Sequence, residues 1–202
     1  MAEPSTRSDD DTKSQRGADT KQRILEAARA VLAEGGIEHF TTRRVAARAG
    51  VSHGMCHYYF ADKSALVQDL VQDARADWIA PLEGFVHRDA PALERARDVI
   101  AWMAEPATVE VMRVHLTLFW FALNDEAVRT ALAGEYRRWR APFTTLFEDL
   151  AREQNLGDLD ARKVGDAFAS AADGLVQQQS LDSTIDTRAA LTELLERMLC
   201  SR

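Results

Sequence analysis

The sequence predicts an all-α protein of about nine helices, with short helices in front of a bundle of longer ones. Apolar residues recur at intervals of three and four along most of the chain, as they do on the buried face of a helix. No segment alternates apolar and polar residues over the length of a strand. Gly, Pro and Asn-Asp pairs separate the helical stretches from one another. Together these observations indicate a helical fold without a sheet.

The composition is that of an ordinary globular protein. Hydrophobic residues make up 46% of the chain and charged residues 28%, which excludes fibrous and fully disordered classes. Charges interrupt every apolar run before the roughly 18–20 residues that a membrane span needs, and the N-terminus lacks the apolar core of a signal peptide. We therefore expect a cytoplasmic protein with no membrane partner. Cys56 and Cys200 lie far apart in the sequence, which predicts free thiols.

The helical pattern divides the chain into three regions. Residues 1–18 are polar and have no apolar period, which predicts a disordered N-terminal arm. Residues 19–66 are predicted to form a three-helix domain with a helix-turn-helix, and residues 67–202 a helical bundle. Within the bundle, Pro91 and Pro106 are predicted to begin helices, whereas Pro142 should kink one.

Local signals set the helix boundaries of the first domain. The first helix should begin at Asp19 and stop at the Gly35-Gly36 pair. Thr42 is predicted to cap a second helix over 43–49, which Gly50 ends. A third helix is predicted over 53–59, and a fourth begins after a capping Asp62.

The stretch TTRRVAARAGVSHGMCHYYFADKSALVQDL, residues 41–70, carries the strongest functional signal in the chain. It resembles the DNA-binding domain of the TetR family of transcriptional regulators. The matching positions are Thr42, Val45 with Ala46, Ala49, Gly50, Val51, Ser52, Gly54, Tyr59, Phe60, Lys63 and Leu66. The match is dense and ungapped. The resemblance implies a repressor that binds a palindromic operator in double-stranded DNA as a homodimer.

The third helix is the expected recognition helix. A helix in the major groove reads base edges with the side chains near its N-terminus. We expect His53, Met55 and His57 to do this, and Gly54 to allow close approach of the backbone. His57 departs from the family, because many relatives carry a Tyr at that position.

The surrounding residues are expected to hold phosphates. Ser52 and Thr42 lie at helix starts, where free N–H groups favour anions. Tyr58 and Lys63 would complete these contacts. The full predicted DNA-binding set is Thr41, Thr42, Arg43, Arg44, Ser52, His53, Gly54, Met55, His57, Tyr58, Tyr59 and Lys63.

Three alternatives compete with these assignments. The basic patch of residues 41–63 is small in a chain of net charge −7, and a solvated helix face would explain it as well. Cys56 with His53 and His57 imitates a metal-ligand cluster, but no fourth ligand lies nearby, so we expect no metal and no cofactor. Cys56 also has no partner carboxylate or oxyanion loop, so we expect no catalytic residue and no enzyme activity. Packing is the better interpretation of Cys56, and of Tyr59, Phe60, Val45 and Ala46.

The second region is similar to the BetI-like branch of the family, the choline-responsive repressors. The similarity lies in FWFALNDEAVRTALAGEYRRWRAPF, residues 119–143, and AADGLVQQQSLD, residues 171–182. It implies a pocket between bundle helices for a small-molecule effector of unknown identity. The predicted ligand-binding residues are Trp78, Trp102, Met103, Met112, His115, Phe119, Trp120, Tyr136 and Trp139. For a cationic effector, tryptophans could provide cation–π contacts, assisted by a carboxylate such as Glu110.

The resemblance also implies how such a regulator switches. The last two helices should pair with those of a second subunit, and Gly165, Ala169 and Gly174 would permit close approach there. Effector binding would then favour a spacing of the two DNA-binding heads that fits the operator less well. Two rival functions stay open, an effector-free protein-interaction dimer and an unrelated helical enzyme.

Overall fold

The structure, a computed structural model, describes the backbone of residues 7–73 and 75–200 and the side chains of residues 14–73, 78–108 and 114–200. Ten helices and no strands lie in these ranges, which confirms the predicted all-α class. The helices are α1 Arg7–His39, α2 Thr42–Ala49, α3 His53–Tyr59, α4 Lys63–Asp73, α5 Arg75–Val86, α6 Ala92–Met103, α7 Pro106–Asn124, α8 Glu126–Glu153, α9 Ala161–Gln179 and α10 Thr187–Cys200. The count exceeds the expected nine because α4 and α5 both lie within the fourth predicted helix, on either side of residue 74, which is outside the described residues.

The first helix begins earlier than the sequence pattern predicts. We expected a disordered arm to residue 18, but α1 starts at Arg7; residues 1–6 of the arm lie outside the described residues. Helix-forming Lys, Gln and Arg residues extend the helix in the N-terminal direction without an apolar stripe. A Gln15–Asp19 side-chain hydrogen bond of 3.4 Å spans one turn there. At the other end, Gly36 has φ 61°, so the predicted stop at the glycine pair is confirmed as a break in the helix.

The chain folds as two compact units that divide between Leu70 and Val71, whereas we expected the boundary after residue 66. In the first unit, apolar faces of α1 to α4 form a small core. Its fully buried members include Ile24, Phe40, Val45, Cys56, Phe60 and Leu66. This core holds α2 and α3, which are too short to be stable helices in isolation.

The second unit is a bundle in which α8 and α9 pack most closely. Gly165 lies against the backbone of α8, where an added Cβ would come within 2.9 Å of Thr144 N and 3.0 Å of Phe143 C. Ala169 is fully buried one turn later. The expectation that these two small residues face a second subunit is therefore wrong, because both are used within the chain. At Gly174, by contrast, an added Cβ would meet no atom of the described part of this chain within 4 Å.

The bundle also contains a buried ion pair. Arg95 is 6% exposed, and its guanidinium donates to Asp149 at 2.8 Å and to the Val86 carbonyl. The Arg95 hydrogen bond holds the pKa of Asp149 below its ordinary value. Hydrogen bonding to both charges is what makes such a buried pair tolerable. No helix in the described part of the chain is both long enough and apolar enough to cross a membrane.

Candidate DNA-binding surface and ligand cavity

Side-chain caps fix the start of both helices of the helix-turn-helix. Thr41 Oγ1 accepts a hydrogen bond from Arg44 N at 3.2 Å, and Ser52 Oγ accepts one from Met55 N at 3.1 Å. The cap of α2 is thus Thr41, one residue before the Thr42 that the sequence suggested. Gly50 ends α2 with φ 66°, a left-handed conformation that favours glycine. Because Gly50 ends α2 and Ser52 caps α3, only residues 50–52 lie between the two helices.

The predicted recognition helix, α3, has one buried residue, and the others are exposed or half-buried. Cys56 is completely buried, which confirms its interpretation as packing. Met55 is 43% exposed and Tyr58 80% exposed, and His53 and His57 are also exposed. The predicted reading residues are therefore all accessible, with His53 and His57 one turn apart on one face of α3 and Met55 on another.

A chain of hydrogen bonds runs along the face of α3 that carries the two histidines. Thr42 Oγ1 lies 3.1 Å from His53 Nε2, His53 Nε2 lies 3.1 Å from His57 Nε2, and His57 Nδ1 lies 3.2 Å from the Ala61 carbonyl oxygen. Because the carbonyl can only accept, a neutral His57 carries its proton on Nδ1, and its Nε2 can accept from His53 Nε2–H. Thr42 Oγ1 then shares that same hydrogen as a second acceptor. These hydrogen bonds link the start of α2, the exposed histidines of α3 and Ala61, the second residue after the end of α3.

The basic residues of the surface differ in how accessible their charges are. Arg43 and Arg44 are exposed. Arg48 instead forms two hydrogen bonds with the Glu34 carboxylate, at 2.7 and 3.0 Å, so its charge is largely compensated. Lys63 Nζ lies 5.4 Å from the centre of the Phe40 ring, and burial lowers the pKa of Lys63. The positive charge next to α3 thus comes from Arg43, Arg44 and Lys63.

None of the twelve predicted DNA-binding residues is buried. Nine of them are exposed, and Thr42, Tyr59 and Lys63 are half-buried. Among the residues with described side chains, no three His, Cys, Asp or Glu side chains come together as metal ligands. Cys56 is close to both histidines along α3, but its side chain is buried whereas theirs are exposed.

A cavity lies inside the second unit. Its volume is about 40 Å³, room for roughly three waters and far below the roughly 300–1,000 Å³ that is usual for small-molecule sites. Its lining residues are Val71, Trp78, Ile79, His115, Leu118, Leu132, Glu135, Tyr136, Trp139 and Asp173. As it stands, the cavity admits only a molecule of a few heavy atoms, and a larger ligand would require the lining side chains to move.

Four of the nine predicted ligand-binding residues line this cavity: Trp78, His115, Tyr136 and Trp139. Trp102 lies beside it, with its ring centre 6.1 Å from Trp78 and 6.5 Å from Trp139. The remaining predictions lie elsewhere or are not described. Met103 is fully buried in the core, Phe119 and Trp120 are 48% and 45% exposed, and the side chains of Met112 and Glu110 lie outside the described residues.

The cavity also contains two acidic residues that the sequence analysis missed. Asp173 accepts hydrogen bonds from the Gln177 amide at 2.7 Å and the Tyr136 hydroxyl at 3.4 Å. Burial raises the pKa of Asp173, and burial together with Asp173 raises the pKa of Tyr136. Glu135 accepts from Arg138 through Oε1, whereas its buried Oε2 has no donor among the described residues.

A sequence signal for both acids was present. Asp173 lies four residues after Ala169 and three before Val176, and Glu135 lies three residues after Leu132 and four before Trp139. Each carboxylate therefore interrupts an apolar helix face, where an unpaired charge would be costly. A charge in such a position indicates either an ion pair or a ligand site.

Two protein families match the chain. Residues 24–70 match bacterial regulatory proteins of the tetR family, and residues 92–201, more than half of the chain, match the C-terminal region of BetI-type transcriptional repressors. The HTH-type transcriptional regulator BetI of Rhizobium meliloti is 28% identical over 182 residues, which cover 86% of this chain and 85% of that protein. BetI of Paraburkholderia phymatum is 26% identical over 175 residues, covering 85% and 87%.

Solved structures show the same fold. A Pseudomonas aeruginosa protein described as a transcriptional regulator superposes with a TM-score of 0.80 at 20% identity, covering 90% of each chain. A Saccharomonospora viridis protein, also described as a transcriptional regulator and solved in complex with choline, has a TM-score of 0.71 at 21% identity, covering 91% of this chain and 97% of that one.

Proposed function

Because the chain belongs to the TetR family of bacterial regulatory proteins, with a C-terminal region of the BetI-type repressor family, we propose that it is a repressor released from DNA by a small molecule. It binds a palindromic operator as a homodimer, with α3 of each subunit in the major groove. Effector binding in the cavity of the second unit lowers the affinity for the operator by population shift. The mechanism involves no catalytic step and no cofactor, and it operates in the cytoplasm, where bacterial DNA lies.

The exposed side of α3 is the single observation that carries the DNA-binding part of this proposal. His53 and Met55 lie in the first turn, where a recognition helix meets base edges. Imidazole nitrogens can donate to or accept from bases, and a thioether can contact a thymine methyl group. The hydrogen bond from His53 to His57 leaves His57 with both nitrogens engaged inside the protein. We therefore assign base reading mainly to His53 and Met55, with His57 as the residue that positions His53.

Phosphate contacts surround this reading surface. Backbone N–H groups at the starts of α2 and α3, next to Thr41 and Ser52, can donate to phosphate oxygens. The exposed guanidinium groups of Arg43 and Arg44 add positive charge. Tyr58 is the most exposed aromatic residue of α3, at 80%, and its hydroxyl is suited to a phosphate oxygen. These groups hold the protein on the duplex but carry no sequence information.

The last two helices form the dimer interface in this proposal. The side of α9 that is not packed on α8 carries small residues, among them Ala167, Ser170, Ala171 and Gly174. Small side chains allow two helices to approach closely across a two-fold axis. Two subunits joined in this way would present two copies of α3 to the two half-sites of a palindrome.

A cationic effector fits the cavity best. Trp78, Tyr136 and Trp139 supply ring faces, and Asp173 supplies a carboxylate that is partly buried. Aromatic rings and a carboxylate together stabilise a positive charge removed from water. The choline complex of the Saccharomonospora viridis protein is consistent with this charge. Asp173 and Glu135 are the carboxylates that would stabilise the cation, whereas the sequence had suggested Glu110.

The proposal is tested by selecting duplexes from a random DNA library with the purified full-length protein and measuring affinities by fluorescence anisotropy at fixed salt. We expect a palindromic consensus and a specific affinity well above that for a scrambled duplex. His53→Ala should lose this specificity while the protein remains a folded dimer by light scattering. His87→Ala is the matched control, because His87 is an exposed histidine of the second unit. Undiminished specific binding by His53→Ala would overturn the assignment of the reading surface.

A further inference from the structure

We infer that the effector is a compact protonated amine that retains N–H donors and carries a hydrogen-bond acceptor on the same molecule, in preference to a quaternary ammonium ion. The inference rests on the proposed role of the cavity as the effector site. It follows from the donors and acceptors that the cavity leaves unpaired.

The acceptors come from the two acidic residues. Glu135 Oε2 is buried and has no donor in the described part of the chain. The described contacts of Asp173 are with neutral groups, the Gln177 amide and the Tyr136 hydroxyl. A buried carboxylate oxygen without a donor is costly, whereas a hydrogen bond from an ionised donor is the strong kind. An ammonium with N–H groups satisfies both residues, but a quaternary ammonium ion has no N–H to offer.

The donors come from two indoles. Trp78 is 5% exposed and Trp139 is 8% exposed. Neither Nε1–H has an acceptor among the residues that the structure describes, and both side chains line the cavity. Buried indole N–H groups usually find a partner. A ligand oxygen would supply the acceptor that the protein does not.

The charge of the cavity restricts what that oxygen can be. A ligand carboxylate would be repelled by Asp173, and Glu135 is compensated only through its Oε1 contact with Arg138. A hydroxyl, ether or carbonyl oxygen accepts from an indole N–H without this repulsion. The ligand class is therefore an amino alcohol or a similar small amine with a neutral oxygen.

Three simple amines test the need for N–H donors and the need for an oxygen separately. Ethanolamine has both the N–H donors and the oxygen. Choline keeps the oxygen but replaces every N–H by a methyl group, and n-propylamine keeps the N–H groups but replaces the hydroxyl by a methyl. All three are cations at pH 7.5, so charge is constant across the series. Binding is measured as the rise in melting temperature of the full-length protein and as Kd by isothermal titration calorimetry.

We expect ethanolamine to bind most tightly, and choline and n-propylamine about tenfold more weakly or worse, because each loses hydrogen bonds to buried groups. Choline binding as tightly as ethanolamine overturns the requirement for N–H donors. Propylamine binding as tightly as ethanolamine overturns the requirement for an oxygen. Absence of any melting shift with all three overturns the inference, but selection of an operator by the ligand-free protein would still support the proposed function.

Two substitutions connect the effect to the cavity. Glu135→Gln should reduce the preference for ethanolamine over choline, because the amide replaces the ionised acceptor. Trp139→Phe should reduce the preference for ethanolamine over n-propylamine, because the ring remains but its N–H is lost. Ligand-free melting and operator affinity report whether each variant is folded. A folded variant with an unchanged ligand preference counts against the inference.

Discussion

The Nε2 atoms of His53 and His57 lie 3.1 Å apart on the exposed side of α3, and the ring centres are 4.4 Å apart. His57 is fixed from its other nitrogen by the Ala61 carbonyl at 3.2 Å. The orientation of the His53 ring is therefore set before any DNA is bound, which lowers the conformational entropy lost when it contacts a base. A Tyr at position 57 would not supply this acceptor ring nitrogen.

His57→Ala should weaken specific operator binding by about 1 kcal/mol, the value of one hydrogen bond, whereas His53→Ala should cost about 1–3 kcal/mol as a lost base contact. The two effects should not add, because removal of His53 leaves His57 with nothing to position. Fluorescence anisotropy with the wild type, both single variants and the double variant measures this coupling. A double variant whose loss equals the sum of the single losses would rule out the positioning role.

Ser52 combines a structural role with a proposed phosphate contact, and substitution can separate the two. Ser52→Asp keeps an N-cap acceptor for Met55 N and should leave the free energy of unfolding within roughly 0.5 kcal/mol of the wild type. The added carboxylate should nevertheless lower operator affinity at least tenfold, because it repels the phosphate. Ser52→Asn is the control, since it caps the helix without the charge.

Chemical unfolding measures the free energy of unfolding of these variants, and fluorescence anisotropy at fixed salt measures their operator affinity. Ser52→Ala should lose about 1 kcal/mol of stability from the missing cap. If Ser52→Asp binds the operator as tightly as Ser52→Asn does, the start of α3 does not approach a phosphate.

The bounds of α3 could be predicted from the sequence because Gly50 and Ser52 each have a local effect on the backbone. The cap of α2 was misplaced by one residue because Thr41 and Thr42 are adjacent and chemically equivalent, so only the backbone conformation distinguishes them. The hydrogen bonds between Thr42, His53 and His57 could not be predicted from the sequence, because they depend on side-chain rotamers and on the turn that brings α2 next to α3.

The residues that line the ligand cavity could be predicted only in part from the sequence. Aromatic composition located Trp78 and Trp139 near a pocket, but it gave no information about which side of α7 faces inward, so Phe119 and Trp120 were included although both are exposed. Asp173 was detectable from its position on an apolar face. Gly165 was ambiguous, because a small residue serves a contact within the chain as well as one between subunits.

Gly165→Ala should destabilise the second unit by about 1–3 kcal/mol, the usual cost of overpacking. The added methyl group would meet the α8 backbone at 2.9 Å from Thr144 N, and backbone atoms cannot move aside as a flexible side chain can. Gly134→Ala is the matched control inside a helix, since its Cβ would meet only Arg137 Nη2 at 3.8 Å. The control should be neutral or stabilising by about 0.5–1 kcal/mol. Chemical unfolding of both variants decides this, and equal stability of the two would contradict the close contact of α8 and α9.

Asp173→Asn should raise the free energy of unfolding at pH 7 by roughly 0.5–2 kcal/mol. Burial raises the pKa of Asp173 in the folded protein, so the folded state binds its proton more tightly than the unfolded state does. The stability from this group is therefore present below its unfolded pKa and is lost as pH rises through the folded pKa. Asparagine carries no charge to desolvate and still accepts the hydrogen bond from Gln177.

Unfolding by urea between pH 4 and pH 8 should therefore show a wild-type stability that declines with rising pH relative to that of Asp173→Asn. Asp158→Asn, at an exposed position, is the control and should follow the wild type. A constant difference between wild type and Asp173→Asn across this range would mean that ionisation of Asp173 does not strain the folded state. The same substitution should weaken the binding of a protonated amine, since the carboxylate that costs stability in the empty cavity is the group that the cation neutralises.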